Sequence, residues 1–185
     1  TSLLFLVGQG KQPPDRVLKL DEKLLDDPSP SVRRETMRAM WGRPVSPAVE
    51  AKLIELSRSA DTDTSHDAVY YALSTRPLVS KPVAERLIEV MRAPMTWGDS
   101  QGRAAWGLSH HNPSPEAKDV ALKALLTEVD ETLNQYVRSN CVYGLGSIGG
   151  EEAVKKLKEL ATNDESEQIR KVAAQALARL GQMSE

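Results

Sequence analysis

Five times along this chain a small residue is followed directly by a large apolar one inside a helix-forming stretch: Ala39-Met40, Ala72-Leu73, Gly107-Leu108, Gly144-Leu145 and Ala176-Leu177. The large members stand 33, 35, 37 and 32 residues apart. A small residue at a fixed turn lets a neighbouring helix backbone come close, and the large one fills the space beyond it. Between these stretches lie second helical patterns, Asp15 to Asp27, Pro47 to Ala60, Lys81 to Ala93, Pro115 to Val129 and Glu151 to Thr162. In the last four of them Leu53/Leu56, Leu87/Val90, Leu122/Leu125 and Leu157/Leu160 recur at steps of 34, 35 and 35. Pro47, Pro82 and Pro115 fall near first-turn positions, where a missing N–H costs nothing. No run of alternating β-branched residues is bounded by Asn-Gly or Asp-Gly turns. The pattern predicts an all-α chain of about five stacked antiparallel helix pairs, none able to bury its apolar stripe alone, which together form an α-solenoid. The units run about 11–44, 45–77, 78–112, 113–149 and 150–182, as a single domain over 1–185.

Two segments carry a resemblance. Asp27-Pro28-Ser29-Pro30-Ser31-Val32-Arg33-Arg34 and Glu167-Gln168-Ile169-Arg170-Lys171-Val172-Ala173-Ala174-Gln175-Ala176-Leu177-Ala178-Arg179-Leu180-Gly181 resemble HEAT repeats of the short bacterial, phycobilisome-lyase (PBS-lyase HEAT-like) type. The resemblance covers residues 11 to 182 and departs from the pattern in the second and third units, where His66 and Gln101 replace the arginine found at Arg33, Arg138 and Arg170. It implies a right-handed superhelix, second helices on the concave side, and a habit of binding other proteins. It also implies that the anchor arginines are staples, bonded across to a neighbouring loop carbonyl or Asp.

Composition narrows the function. The longest apolar run, Leu3 to Val7, is far short of the roughly 20 residues that cross a bilayer. Formal net charge is −2, so no phosphate-binding excess is present. Cys141 is the one cysteine, excluding an intrachain disulfide or a Cys-x-x-Cys site; it stands at a core offset, where a thiol is inert. No Gly-x-Ser-x-Gly, His-Glu-x-x-His or phosphate loop is present, so no catalytic residue, metal ligand or cofactor is expected. His110 and His111 adjoin and cannot both face one metal from a regular helix; they read as a solvated helix end. The compartment is not encoded in these features.

With aromatics at only 4%, their positions are informative. Counting from the anchors at about 100° per residue, offsets −1, +3, +6 and +7 form the core face of each second helix. The opposite offsets +1, +5 and +8 hold Arg34, Arg38 and Trp41; Asp67, Tyr71 and Ser74; Gly102, Trp106 and Ser109; Ser139, Tyr143 and Gly146; and Lys171, Gln175 and Ala178. Tyr70 sits on the shoulder. Two readings compete: adjacent units bury these rings, or the rings line a groove, as Trp, Tyr and Arg do in interface hot spots. The groove reading makes Arg34, Arg38, Trp41, Tyr70, Tyr71, Trp106, Tyr143, Lys171 and Gln175 the partner-binding residues.

The segment Leu3-Leu4-Phe5-Leu6-Val7-Gly8-Gln9 resembles the tail Ala176 to Gln182 and reads as a partial N-terminal helix or as the remnant of a secretory apolar region. In the first case Leu3, Leu4, Phe5 and Leu6 cap an open end or pair with another copy. The expected role is thus a non-catalytic interaction or assembly subunit that binds a partner protein or larger complex, with self-association through the N-terminal segment. Two other classes stand beside it: tetrapyrrole handling, by resemblance to bilin lyases, and nucleic-acid binding. The second is disfavoured because groove basics thin out after Arg38.

Overall fold

The computed structural model describes residues 13–93, 100–110 and 112–182. Leu3 to Leu6, Trp97 and His111 lie outside them. The chain divides into two compact units, residues 1–79 and 80–185, and the division falls on a repeat boundary. In the first unit α1 (Asp15–Leu25) and α2 (Pro30–Ala39) form one pair, and α3 (Pro47–Leu56) and α4 (Thr62–Asp67) the next. The second unit holds α5 (Lys81–Arg92) with α6 (Ser100–His110), α7 (Pro115–Glu131) with α8 (Gln135–Ile148), and α9 (Glu151–Asn163) with α10 (Glu167–Gln182). Apart from the two-residue extended stretches Leu78–Val79 and Asn112–Pro113, the described residues are helical or irregular. The chain is all-α, built of tandem helix pairs.

The helix starts follow from local chemistry. Ser46, Ser80 and Ser114 each accept a bond from the backbone N–H three residues on, at 3.2, 3.4 and 3.3 Å. Pro47, Pro82 and Pro115 occupy the first or second helical position behind them. Gly149 and Gly150, at φ 66° and 91°, turn the chain from α8 into α9 in a conformation that penalises any side chain.

Each unit has two helix layers, first helices in one and second helices in the other. Between them lies the core, with Leu53, Leu73 and Met37 in the first unit and Leu87, Leu108, Leu125, Leu145 and Leu157 in the second, all essentially inaccessible. Full burial of such a side chain contributes about 1.5–3 kcal/mol. Small residues do what the repeat pattern predicts. A Cβ at Gly144 of α8 would stand 3.0 Å from Ser109 Cβ of α6, and Ala176 Cβ of α10 stands 2.7 Å from where one at Gly146 would be, although the wheel places Gly146 on the outward face.

Three departures matter. Within each unit second helices pack against one another, so the core reaches beyond the predicted stripe: Asp67, Ser74, Gly102 and Ser109, expected on the outward face, are buried. The second helix of the second repeat is not a regular α-helix throughout. After α4 it widens into a π-turn over Ala68–Ala72 and tightens into a 3-10 turn over Leu73–Thr75. Finally, the first unit buries charge that the apolar pattern did not foretell. Arg43 Nη2 donates to Asp21 Oδ1 at 2.7 Å with both side chains inaccessible, and Arg76 donates to the carbonyls of Ala72 (2.6 Å) and Met40 (2.7 Å). Burial, reinforced by the nearby Arg43 charge, pushes Arg76 down to about 10 against the pull of Glu50 and Asp21.

Candidate functional site

The anchor arginines act as staples. Arg33 donates to the carbonyls of Asp27 (2.7 Å) and Pro28 (3.1 Å), and Arg170 to those of Asp164 (2.6 Å) and Glu165 (3.1 Å). Arg138 donates to the Val129 carbonyl at 2.9 Å and to both carboxylate oxygens of Asp164. Gln101, at the same position in the third repeat, does the equivalent job through a bond to the Ala93 carbonyl. These side chains fix loops and are thereby removed from the pool of ligand-binding cations.

In the first unit the predicted residues meet in one patch. Trp41, just past the end of α2, is 39% exposed. Its ring centroid stands 5.8 Å from Tyr71 and 6.3 Å from Tyr70, and the two tyrosines are 4.9 Å apart edge to face. Consecutive residues can share one surface here because both belong to the π-turn, whose wider coil rotates less per residue than an α-helix. His66 stacks on Tyr70 at 5.2 Å. Arg38 lies 5.4 Å over the Tyr71 ring.

Beneath the rings, buried Asp67 receives Arg34 Nε at 3.3 Å and Arg38 Nη2 at 3.1 Å. Arg34 also pairs with Asp63 and Arg38 with Glu35. Arg38 is raised above its ordinary value: its desolvation acts in the opposite sense and is outweighed by Asp67 and Glu35. Both arginines are thus committed to local carboxylates as well as lying at the patch edge.

The second unit has its own patch. Arg103 lies 3.9 Å over the Trp106 ring, Trp106 stacks on His110 at 4.7 Å, His110 stands 5.8 Å from Tyr143, and Arg179 lies 5.3 Å over Tyr143. α6 supplies the first three at steps of three and four residues, the spacing that aligns side chains on one helix face. Partial burial lowers His110 below its ordinary value; Arg103 and Arg179 add to this, against the Trp106 carbonyl's opposite pull. Trp106 and Tyr143 are half-buried, while Lys171 and Gln175 are exposed on α10. Lys171 pairs with Glu167 at 2.6 Å.

Several residues were missed by reading the sequence. Arg179 and His110 complete the second patch, and the offset count that selected Tyr143 did not reach them. Tyr136, 53% exposed, covers Gly102 from a position before the α8 anchor. The buried arginines had a legible signal, the pair Arg43-Pro44 and Arg76-Pro77 at a repeat step of 33. A cavity of about 260 Å³ at the α7–α8 and α9–α10 loops is lined by Asp130, Glu159, Asp164 and Glu165 around Arg138, and its central pair is spent on the staple. Among the described residues no three His, Cys, Asp or Glu side chains are grouped to hold a metal ion. No helix among them is long and apolar enough to cross a membrane.

Comparison with known proteins agrees with the helix-pair pattern. A family model described as HEAT repeats matches residues 84–178. No curated protein matches the chain. Among solved structures, an engineered protein from the Northeast Structural Genomics Consortium aligns with a TM-score of 0.61 at 20% identity, over 89% of this chain and 79% of that one. A second engineered protein from the same consortium aligns at 0.57 and 20% identity, over 89% of this chain and 47% of that one. Human deoxyhypusine hydroxylase, in complex with glycerol, aligns at 0.56 and 17% identity, over 91% of this chain and 64% of the hydroxylase. At these identities the likeness is one of fold. The matched stretch takes in α6, α8 and most of α10, with their anchors and small-then-large pairs, and this chain belongs to the HEAT-repeat family.

Proposed function

We propose that the chain is a non-catalytic interaction module that grips a partner protein through the ring patches on its second helices. HEAT repeats commonly mediate protein–protein interaction. The observation that carries the reading here is the state of the rings: Trp41, Tyr70, Tyr71, Trp106 and Tyr143 are each part-exposed while held by neighbouring rings or guanidiniums. A ring fixed before binding loses little conformational freedom on contact, which is why rigid aromatics dominate interface energies. The N-terminal residues Leu3 to Leu6 extend the same proposal to self-association.

A pull-down comparing the native chain with a Tyr71→Ala, Trp106→Ala, Tyr143→Ala triple variant tests it. Loss of a specific partner with helicity retained supports the reading, and retention of that partner by the folded triple variant overturns it. Mass measurement before and after deleting residues 1 to 9 tests the self-association element: a strict monomer in both removes it.

A further inference from the structure

The second helices of the second unit, α6, α8 and α10, form one packed layer, and its charge is one-sided. It carries Arg103, Arg138, Arg170, Lys171 and Arg179 against one acidic side chain, Glu167 at the start of α10. α6 and α8 have no carboxylate at all, whereas the first helices α5, α7 and α9 of the same unit carry ten. Surface helices ordinarily intersperse both signs, so the segregation is a property of these three helices.

Three of the five cations are already occupied. Arg138 and Arg170 serve Asp164, and Arg103 is 8% exposed beneath Trp106. Lys171 and Arg179 stand exposed on α10 with Gln175 midway between them. The Lys171–Glu167 pair joins two exposed side chains one helical turn apart, a solvent-screened contact that a stronger partner displaces. Arg179 adjoins Tyr143, which leads through His110 to Trp106.

The spacing of the two cations specifies a ligand. Eight residues along a helix is about 12 Å. Two residues four apart in an extended strand lie on the same face about 13 Å apart.

We infer that this face docks an extended acidic segment of a partner protein. Carboxylates about four residues apart meet Lys171 and Arg179, and an apolar side chain lies against Tyr143 and Trp106. The inference rests on the interaction role proposed above and adds the chemistry of the partner. Two exposed cations suit two carboxylates, whereas tight nucleic-acid binding draws on several phosphate contacts at once.

The test uses the full chain and two labelled peptides, one with two Glu residues flanking a Leu at this spacing and one with Lys in their place, at low and at high salt. The Glu peptide should bind at least about tenfold tighter at low salt, a difference that shrinks as salt screens it. A Lys171→Glu, Arg179→Glu variant, with unchanged circular dichroism, should reverse the preference. Equal binding of both peptides, weakened alike by Tyr143→Ala, overturns the acidic assignment while leaving the interaction role standing. Tighter binding of a single-stranded oligodeoxynucleotide than of the Glu peptide also overturns it. If neither peptide binds the inference falls, and if the triple ring variant also keeps the captured partner the interaction role falls with it.

Discussion

Arg138 closes on Asp164 through both terminal nitrogens, at 3.1 and 2.6 Å, and so ties the start of α8 to the loop between α9 and α10. Asp164 is the hub of that loop. Its carboxylate accepts the Ser166 N–H at 2.9 Å, and its carbonyl accepts Arg170. Arg138→Ala leaves a buried carboxylate without its cation and should cost about 2–3 kcal/mol, read from urea unfolding. Arg138→Lys should recover only part of this, because an ammonium cannot make the two parallel bonds.

Glycine tolerance should divide by contact. At Gly144 an added methyl meets Leu125 Cδ1 at 2.6 Å and the Ser109 backbone Cα at 3.3 Å. Alanine favours a helix by about 1 kcal/mol over glycine, but forcing α6 and α8 apart costs about 1–3 kcal/mol. Gly144→Ala should therefore lower the unfolding midpoint. Gly181→Ala, where nothing lies within 4 Å, should leave it unchanged or raise it slightly.

The Cys141 thiol should be silent. Burial first, then Glu128, pushes it up to about 12, with Arg92 acting weakly the other way. At pH 8 it is fully protonated and inaccessible, so a thiol reagent should label it only as fast as the unit opens, and rapidly in urea. Stoichiometric labelling of the native chain within seconds would contradict the buried placement.

A pH effect follows from His110. Its folded-state affinity for a proton is lowered, so the unfolded chain, at about 6.5, takes up the proton first. Stability linked to this residue is complete above pH 6.5, declines as pH falls through it, and stops declining below the folded value. The charges facing His110 are Arg103 on its own helix and Arg179 from α10, both repelling the imidazolium. Comparing native chain with His110→Asn at pH 7.5 and pH 5 should show the native chain losing more stability on acidification.

The helix pairs were legible because the period of the small-then-large pairs is a direct record of close helix contact, as Gly144 on Ser109 illustrates. The outward face was only partly legible. A helical wheel places Asp67 opposite the core stripe, yet the neighbouring second helix covers that flank and brings Arg34 and Arg38 onto it. A single-helix projection contains no information about lateral neighbours. A constant 100° step divides Tyr70 and Tyr71 between shoulder and face, but the π-turn that carries both rotates less per residue and brings them onto one surface. The buried Arg43–Asp21 pair lies outside the apolar pattern, because a charged side chain is buried only where the fold brings it a partner of opposite sign.

If recognition uses the second helices, hydrogen–deuterium exchange of the chain with and without its captured partner should reveal it. Protection confined to peptides covering α2, the π-turn after α4, α6, α8 and α10 is the result expected. Protection falling on α1, α3, α5, α7 and α9 instead, with the ring-bearing helices unchanged, would contradict it.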